Sequence, residues 1–345
     1  MRAVAGITLF MSVSGIGLAA AQPPRQAGPC FEEIRRLCGA GGMAGLRVCL
    51  QSRIGELSAE CREQLLERMR QRGAGARPEG PRAEPGQVVS YGSHQRQGVD
   101  YYPAANAQRP PLVLFVHGGG WAFGNRGQGA GAKPGWFTAH GYSFASAGYR
   151  VLPDAPVEEQ ARDVAAAIQA MRADAARLGF DPDRIVLMGH SAGAHLAALV
   201  ATDPAYGIAN LPAIRGVILL DGAGYDVARN MAGDRVEAAM LYRNAFGDDP
   251  ARQRALSPVT HAAAPNAPNW LILHVADRPA SAEQSRLLGQ ALLNARASVD
   301  VVGVANTDHG RLNREIGAQG DVATAEIEQF LARTTAPARF GARAP

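Results

Sequence analysis

"RIVLMGHSAGAHLAALVA", Arg184 to Ala201, runs from an apolar stretch through Gly189-His190-Ser191-Ala192-Gly193 into a second apolar stretch. The first stretch is continuously apolar rather than alternating, the pattern of a strand buried on both faces of a parallel sheet. The alanine- and leucine-rich stretch that follows reads as a helix. G-x-S-x-G between a strand and a helix is the arrangement that displays a reactive serine on a sharp turn, with glycine where the flanking chain leaves no room for a side chain. The competing reading is a flexible connection that happens to hold a serine. The strand before and the helix after Ser191 favour the nucleophile.

The same texture extends in both directions. Apolar runs recur at 112–117, 142–150, 216–221, 270–276 and 298–305, and "QVVSYG" with "GVDYYPA" suggests an opening hairpin. Between them lie helical segments, clearest in "VEEQARDVAAAIQAMRADAARLG", where Gly179 is placed to end the helix. Strand–helix alternation over residues 87–333 predicts a doubly wound, mostly parallel α/β sheet, with 334–345 as a loose tail.

The N-terminal quarter differs. Arg2 followed by an apolar, small-residue run ending in "AAAQPP" reads as a signal peptide over 1–21, and a retained membrane anchor is the weaker alternative. The mature protein is therefore expected to be exported, with no membrane span. All four cysteines, Cys30, Cys38, Cys49 and Cys61, fall in the 22–72 segment, whose short amphipathic runs predict a disulfide-stapled helical module, with Ser58 as a helix cap. Their spacing resembles the cysteine-rich repeat of Golgi glycoprotein 1 type. Of three possible connectivities, the nested one, Cys30 with Cys61 and Cys38 with Cys49, is the expectation. The partner of this module is not legible. Residues 73–86, rich in glycine, proline and charge, form a linker.

Composition narrows the function classes. The 345-residue chain carries a formal charge of only +4, with Lys133 as its single lysine, and its arginines form no stripe with interleaved aromatics. Nucleic acid is not an expected partner. No metal-ligand spacing or cofactor motif is present, so neither a metal nor a cofactor is expected.

Upstream of the serine, "VHGGGWAFG" follows the 112–117 strand. An acyl-transfer intermediate carries an oxyanion that needs preorganised N–H donors on unobstructed backbone, which consecutive glycines provide. Gly118, Gly119 and Ala192 are the expected donors. A general base is then sought among the histidines downstream of Ser191. His195 lies inside the helix and His274 inside a strand, whereas His309 sits in a loop after the last strand, where α/β active sites gather. For the acid, Asp277 follows the 270–276 strand and preserves the order Ser, Asp, His; Asp221, at the end of the preceding strand, is the alternative. Asp308 is too close to His309 in the chain to orient its ring.

Residues 87–333 resemble the α/β-hydrolase family, specifically the lipase/esterase branch with an H-G-G-G-W loop that includes bacterial carboxylesterases, feruloyl/acetyl-xylan esterase-like and kynurenine formamidase-like proteins. The resemblance rests on "HGGGW", "GHSAG", "YRVLPDAPVEEQARDVAAAI" and "DHGRLNREIG". It implies a serine carboxylesterase acting on small to medium acyl esters, or a polysaccharide deacetylase, feruloyl esterase or formamidase of the same fold. A catalytically silent binding protein acting through the cysteine module is the alternative from another class. The segment after residue 221 is long enough to arch over the site, and Trp121, Tyr225, Met231 and Met240 are candidates to line a substrate pocket.

Overall fold

The computed structural model describes residues 29–38, 56–65, 85–105, 107–207, 209–222, 224–231, 236–263 and 265–336, the side chains of 236–240 excepted. The expected signal peptide, Cys49, most of the linker and most of the tail lie outside these residues.

Among the described residues eight strands form one sheet: β1 Gln87–Ser90, β2 Gly98–Tyr102, β3 Leu112–Val116, β4 Ser143–Ala147, β5 Ile185–His190, β6 Ile214–Leu220, β7 Asn269–Val275 and β8 Ser298–Val304. Their order is β1-β2-β4-β3-β5-β6-β7-β8. The β1–β2 hairpin expected from sequence is antiparallel, and β2 joins β4 antiparallel; from β4 to β8 every pairing is parallel. The chain winds from β3 outward to β4, then returns to lay β5 on the other side of β3. That reversal leaves a crevice at the carboxyl ends of β3 and β5, the place where open α/β sheets bind ligands.

Period-two geometry explains why these strands are continuously apolar. Leu112, Leu114 and Val116 of β3 enter the core on one face of the sheet, and Val113 and Phe115 enter the core on the other. Helices Val157–Leu178, Ala192–Thr202 and Pro279–Asn294 cover the first face; Lys133–Ala139 and Val322–Thr334 cover the second. Gly179 ends the long helix in the left-handed conformation at φ 82°, its N–H bonded to the Ala175 carbonyl.

The N-terminal module has its own small core. Helix Pro29–Cys38 and the helical turn through Cys61 are joined by the Cys30–Cys61 disulfide, with Ile34 and Leu57 buried beside it. Ser58 caps the second helix by accepting from the Cys61 N–H at 3.1 Å, and its own hydroxyl donates to Glu33 at 2.7 Å. Cys38 is disulfide-bonded as well. Among the described residues no helix is long and apolar enough to cross a membrane.

Candidate active site

Ser191 follows the last residue of β5 and adopts φ 56° and ψ −121°, a left-handed conformation that costs a non-glycine residue about 1–3 kcal/mol. The surrounding chain enforces it. A Cβ on Gly189 would lie 2.3 Å from the Gly193 carbonyl oxygen, and a Cβ on Gly193 would lie 2.2 Å from the Val116 carbonyl oxygen. Both glycines are thus required by backbone that cannot retreat, and the serine hydroxyl is held above the sheet.

Three loops meet at that hydroxyl. His309, in the loop after β8, places Nε2 3.0 Å from Ser191 Oγ. His309 Nδ1 lies 2.7 Å from Oδ2 of Asp221, in the turn after β6. The Asp221 side chain is wholly buried, and its Oδ1 accepts from the Val275 N–H at 3.1 Å and the Ser281 hydroxyl at 2.6 Å. Two donors on one oxygen fix the plane of the carboxylate and aim the other oxygen at the imidazole.

Asp277, the acid expected from sequence, is not part of this group. It is exposed in the turn after β7. There Arg278 N–H bonds the Val275 carbonyl at 3.1 Å, and the tight turn sends the Arg278 side chain toward the site in place of Asp277. Asp221 gains the position because its backbone turns at φ 43°, a left-handed conformation that Asp tolerates better than most residues. Asp308 is committed within its own loop, where Oδ1 accepts from the N–H groups of Gly310 and Arg311, both at 2.8 Å.

The glycine loop stands directly against the serine. A Cβ on Gly118 would lie 3.0 Å from Ser191 Cβ, and Gly119 adopts φ 132°, where a Cβ would lie 2.2 Å from the Phe123 carbonyl oxygen. The Gly119 carbonyl accepts from the Phe123 N–H at 2.9 Å, which closes the turn. Ala192 opens the elbow helix, and the first N–H groups of a helix have no intrahelical acceptor. Gly118 is thus packed against Ser191, and Ala192 follows it at the start of the helix.

Other histidines hold this frame. His117 stacks on Tyr149 at 4.3 Å, while the Tyr149 hydroxyl donates to the His117 carbonyl at 2.8 Å; burial lowers the His117 pKa to about 4 and keeps the ring neutral. His190 Nε2–H donates to the His309 carbonyl at 2.9 Å, tying the serine turn to the loop that carries His309. Burial, then the nearby His309, lowers its pKa well below the usual histidine value. His195 is buried in the elbow helix; its Nε2–H donates to the Leu256 carbonyl at 2.8 Å, which leaves Nδ1 to accept from the Trp121 indole at 3.2 Å. The two bonds fix its tautomer.

Trp121 and Tyr225, expected to line a substrate pocket, are core residues. Trp121 packs edge-on against His195, Tyr242 and Phe246, and only 2% of it is exposed. Tyr225 is fully buried, its hydroxyl against Gly222. Aromatic residues in a loop near a site look alike in sequence whether they face substrate or interior. Met231 is half-buried against the core, and the Met240 side chain lies outside the described residues. Leu241, from helix Val236–Phe246, lies beside the glycine loop, where a Cβ on Gly120 would meet it at 3.0 Å. A bidentate Arg252–Glu158 pair, at 2.7 and 2.8 Å, fastens helix Pro250–Ala255 to the long helix.

Ser281, Arg278 and His190 were not legible as site residues, because they reach it from a helix, a turn and a strand end whose relative placement no local pattern encodes. Asp221 carried a signal equal to that of Asp277, the end of a neighbouring strand.

Residues 100–292 match BD-FAE, more than half of the chain. The chain belongs to the BD-FAE family. Among curated proteins this BD-FAE chain is similar to the esterase LipC of Mycobacterium tuberculosis, 28% identical over 64% of this chain and 59% of LipC. It is also similar to a probable isoprenylcysteine alpha-carbonyl methylesterase of Oryza sativa subsp. japonica, 31% identical over 46% of this chain and 38% of that protein. The chain spans between 23% and 59% of the length of such curated relatives. Among solved structures, esterase 2 of Thermogutta terrifontis with butyrate bound has a TM-score of 0.60 and 26% identity, covering 77% of this chain and 100% of its own. The same esterase is also known phosphonylated by sarin, with a TM-score of 0.61 and 26% identity over 74% of this chain and 98% of its own.

Proposed function

We propose that this protein is a serine carboxylesterase in which Ser191, His309 and Asp221 form the catalytic triad. The observation that carries the reading is the continuous chain of contacts, Ser191 Oγ to His309 Nε2 at 3.0 Å and His309 Nδ1 to Asp221 Oδ2 at 2.7 Å, on a strained serine beside Gly118. Ser191 Oγ–H donates to Nε2, and the Nδ1–H donates to the carboxylate. As Oγ attacks the ester carbonyl carbon, the hydroxyl proton passes to Nε2, and Asp221 stabilises the imidazolium. The carbonyl oxygen becomes an oxyanion that accepts from the N–H groups of Gly118, Gly119 and Ala192. Collapse breaks the bond to the alcohol, which leaves with the Nε2 proton. Water, deprotonated by the same nitrogen, then hydrolyses the acyl-enzyme and restores Ser191.

The esters are carboxylic esters of small to medium acyl chains. Support comes from the butyrate-bound relative and from Leu241, whose side chain narrows the space over the glycine loop. Export to an oxidising compartment is part of the proposal, supported by the Cys30–Cys61 disulfide. Turnover of p-nitrophenyl acetate, butyrate and octanoate by the protein and by Ser191→Ala tests the reading. The expected result is release from the first two, weaker release from the third, and loss of activity by several orders of magnitude in the variant. Equal rates in both proteins would overturn it.

A further inference from the structure

The Asp–His pair has a third member. Nη1 of Arg278 bonds Asp221 Oδ2, the same oxygen that faces the imidazole, and stands 2.7 Å from His309 Nδ1. The arginine side chain is 29% exposed, so it lies at the mouth of the site with its head group turned inward onto a carboxylate that has no exposure at all. A buried carboxylate opposite a catalytic histidine ordinarily gives its charge to that histidine alone. Here the charge is divided.

We propose that Arg278 is a positioning residue that tunes the general base: by sharing the Asp221 carboxylate and facing His309, it weakens the imidazole's hold on a proton and keeps it a free base in acid solution. The inference rests on the triad reading above. Oδ1 already accepts from Val275 and Ser281, so Oδ2 must serve both His309 and Arg278. The His309 Nδ1–H donates to Oδ2; the guanidinium therefore cannot donate to Nδ1, and its proximity acts on the imidazole as positive charge. Imidazolium is disfavoured, and neutral imidazole, the form able to accept the serine proton, persists.

The groups that face His309 from each packed element are few. Asp221 arrives from the end of β6, His190 from the end of β5, Arg278 from the turn after β7, and Asp308 from its own loop, with Lys133 behind His190. His190 is held neutral by burial. Burial and then Arg278 lower the His309 pKa, to about 4, against the opposing effect of Asp308, which is exposed and bonded to two backbone N–H groups. Of these, Arg278 is the one cation within contact distance of the ring.

The test is the pH profile of kcat/KM for p-nitrophenyl butyrate, together with the pH dependence of Ser191 phosphonylation by diethyl p-nitrophenyl phosphate, a stoichiometric reaction that needs the same base. In the unaltered protein the acid limb of both should lie at least one unit below the ordinary histidine value of about 6.5. Arg278→Gln, and Arg278→Met as a second neutral side chain, should move that limb upward by on the order of one unit, while Arg278→Lys keeps it within a few tenths. A limb near 6.5 in the unaltered protein overturns the proposal. So does a uniform loss of rate in Arg278→Gln with its limb unmoved, the signature of a merely structural role. If instead the unaltered protein fails to react with either probe, or Ser191→Ala reacts as well as it does, the triad reading itself falls.

Discussion

Asp221 and His309, eighty-eight residues apart in the chain, meet at 2.7 Å between Oδ2 and Nδ1, and the carboxylate is completely buried. Asp277, closer to His309 in sequence, is exposed. Asp221→Asn should therefore lower kcat for p-nitrophenyl butyrate by on the order of 10⁴, since an amide favours the wrong imidazole tautomer. Asp277→Asn should leave kcat within about twofold. Steady-state kinetics of the two variants decide between the acids, and the reverse ranking would remove Asp221 from the triad.

The elbow glycines differ from a helical glycine elsewhere in a way that stability measurements can read. A Cβ on Gly193 would sit 2.2 Å from the Val116 carbonyl oxygen and 2.4 Å from that of His117, so Gly193→Ala must displace the end of β3. The expected cost is about 2 kcal/mol or more, with a large drop in kcat because the glycine loop moves too. Gly135, inside helix Lys133–Ala139, has nothing within 4 Å of an added Cβ. Gly135→Ala should stabilise by about 0.5–1 kcal/mol and leave kcat unchanged, as judged by urea melts.

Trp121 separates core from pocket. Its indole N–H donates to His195 Nδ1 at 3.2 Å, and its ring is almost wholly enclosed. Trp121→Phe leaves that nitrogen without its donor and should destabilise the fold by about 1–3 kcal/mol. KM for p-nitrophenyl acetate and butyrate should stay within about twofold. A large change in KM at unaltered stability would return Trp121 to the substrate pocket.

Buried histidines set the acid side of stability. His117 and His195 are both lowered by burial to about 4, against about 6.5 for an unfolded chain. Below 6.5 the unfolded state binds protons that the folded state does not, so the contribution is complete above about 6.5 and fades as pH falls toward 4. Scanning calorimetry should show Tm declining steadily across that interval. A flat Tm from pH 6.5 to 4.5 would mean that these rings are protonated in the folded protein.

Much of the architecture was legible because it rests on short-range rules. Continuous apolar runs require two covered faces, and each strand of the α/β sheet appeared within a few residues of its place. Gly189, Ser191 and Gly193 carry a local steric demand, and the glycines after His117 carry another, so the serine turn and the glycine loop were readable together. The loop of His309 was readable from its place after the last strand. Which aspartate faces that histidine was not: both Asp221 and Asp277 follow strands, both lie between Ser191 and His309, and no local pattern ranks them.

Residues adjacent in the chain were enough to read the sheet, the serine turn, the glycine loop and the loop that carries His309. Contacts between distant elements set Asp221 against His309, let Arg278 share its carboxylate, and enclose Trp121 and Tyr225 in the interior. The reason is geometric. A turn two or three residues long can aim either of two neighbouring side chains inward, and which one it aims depends on hydrogen bonds to other strands: Val275 to Asp221, Ser281 to Asp221, and Arg278 back to the end of β7.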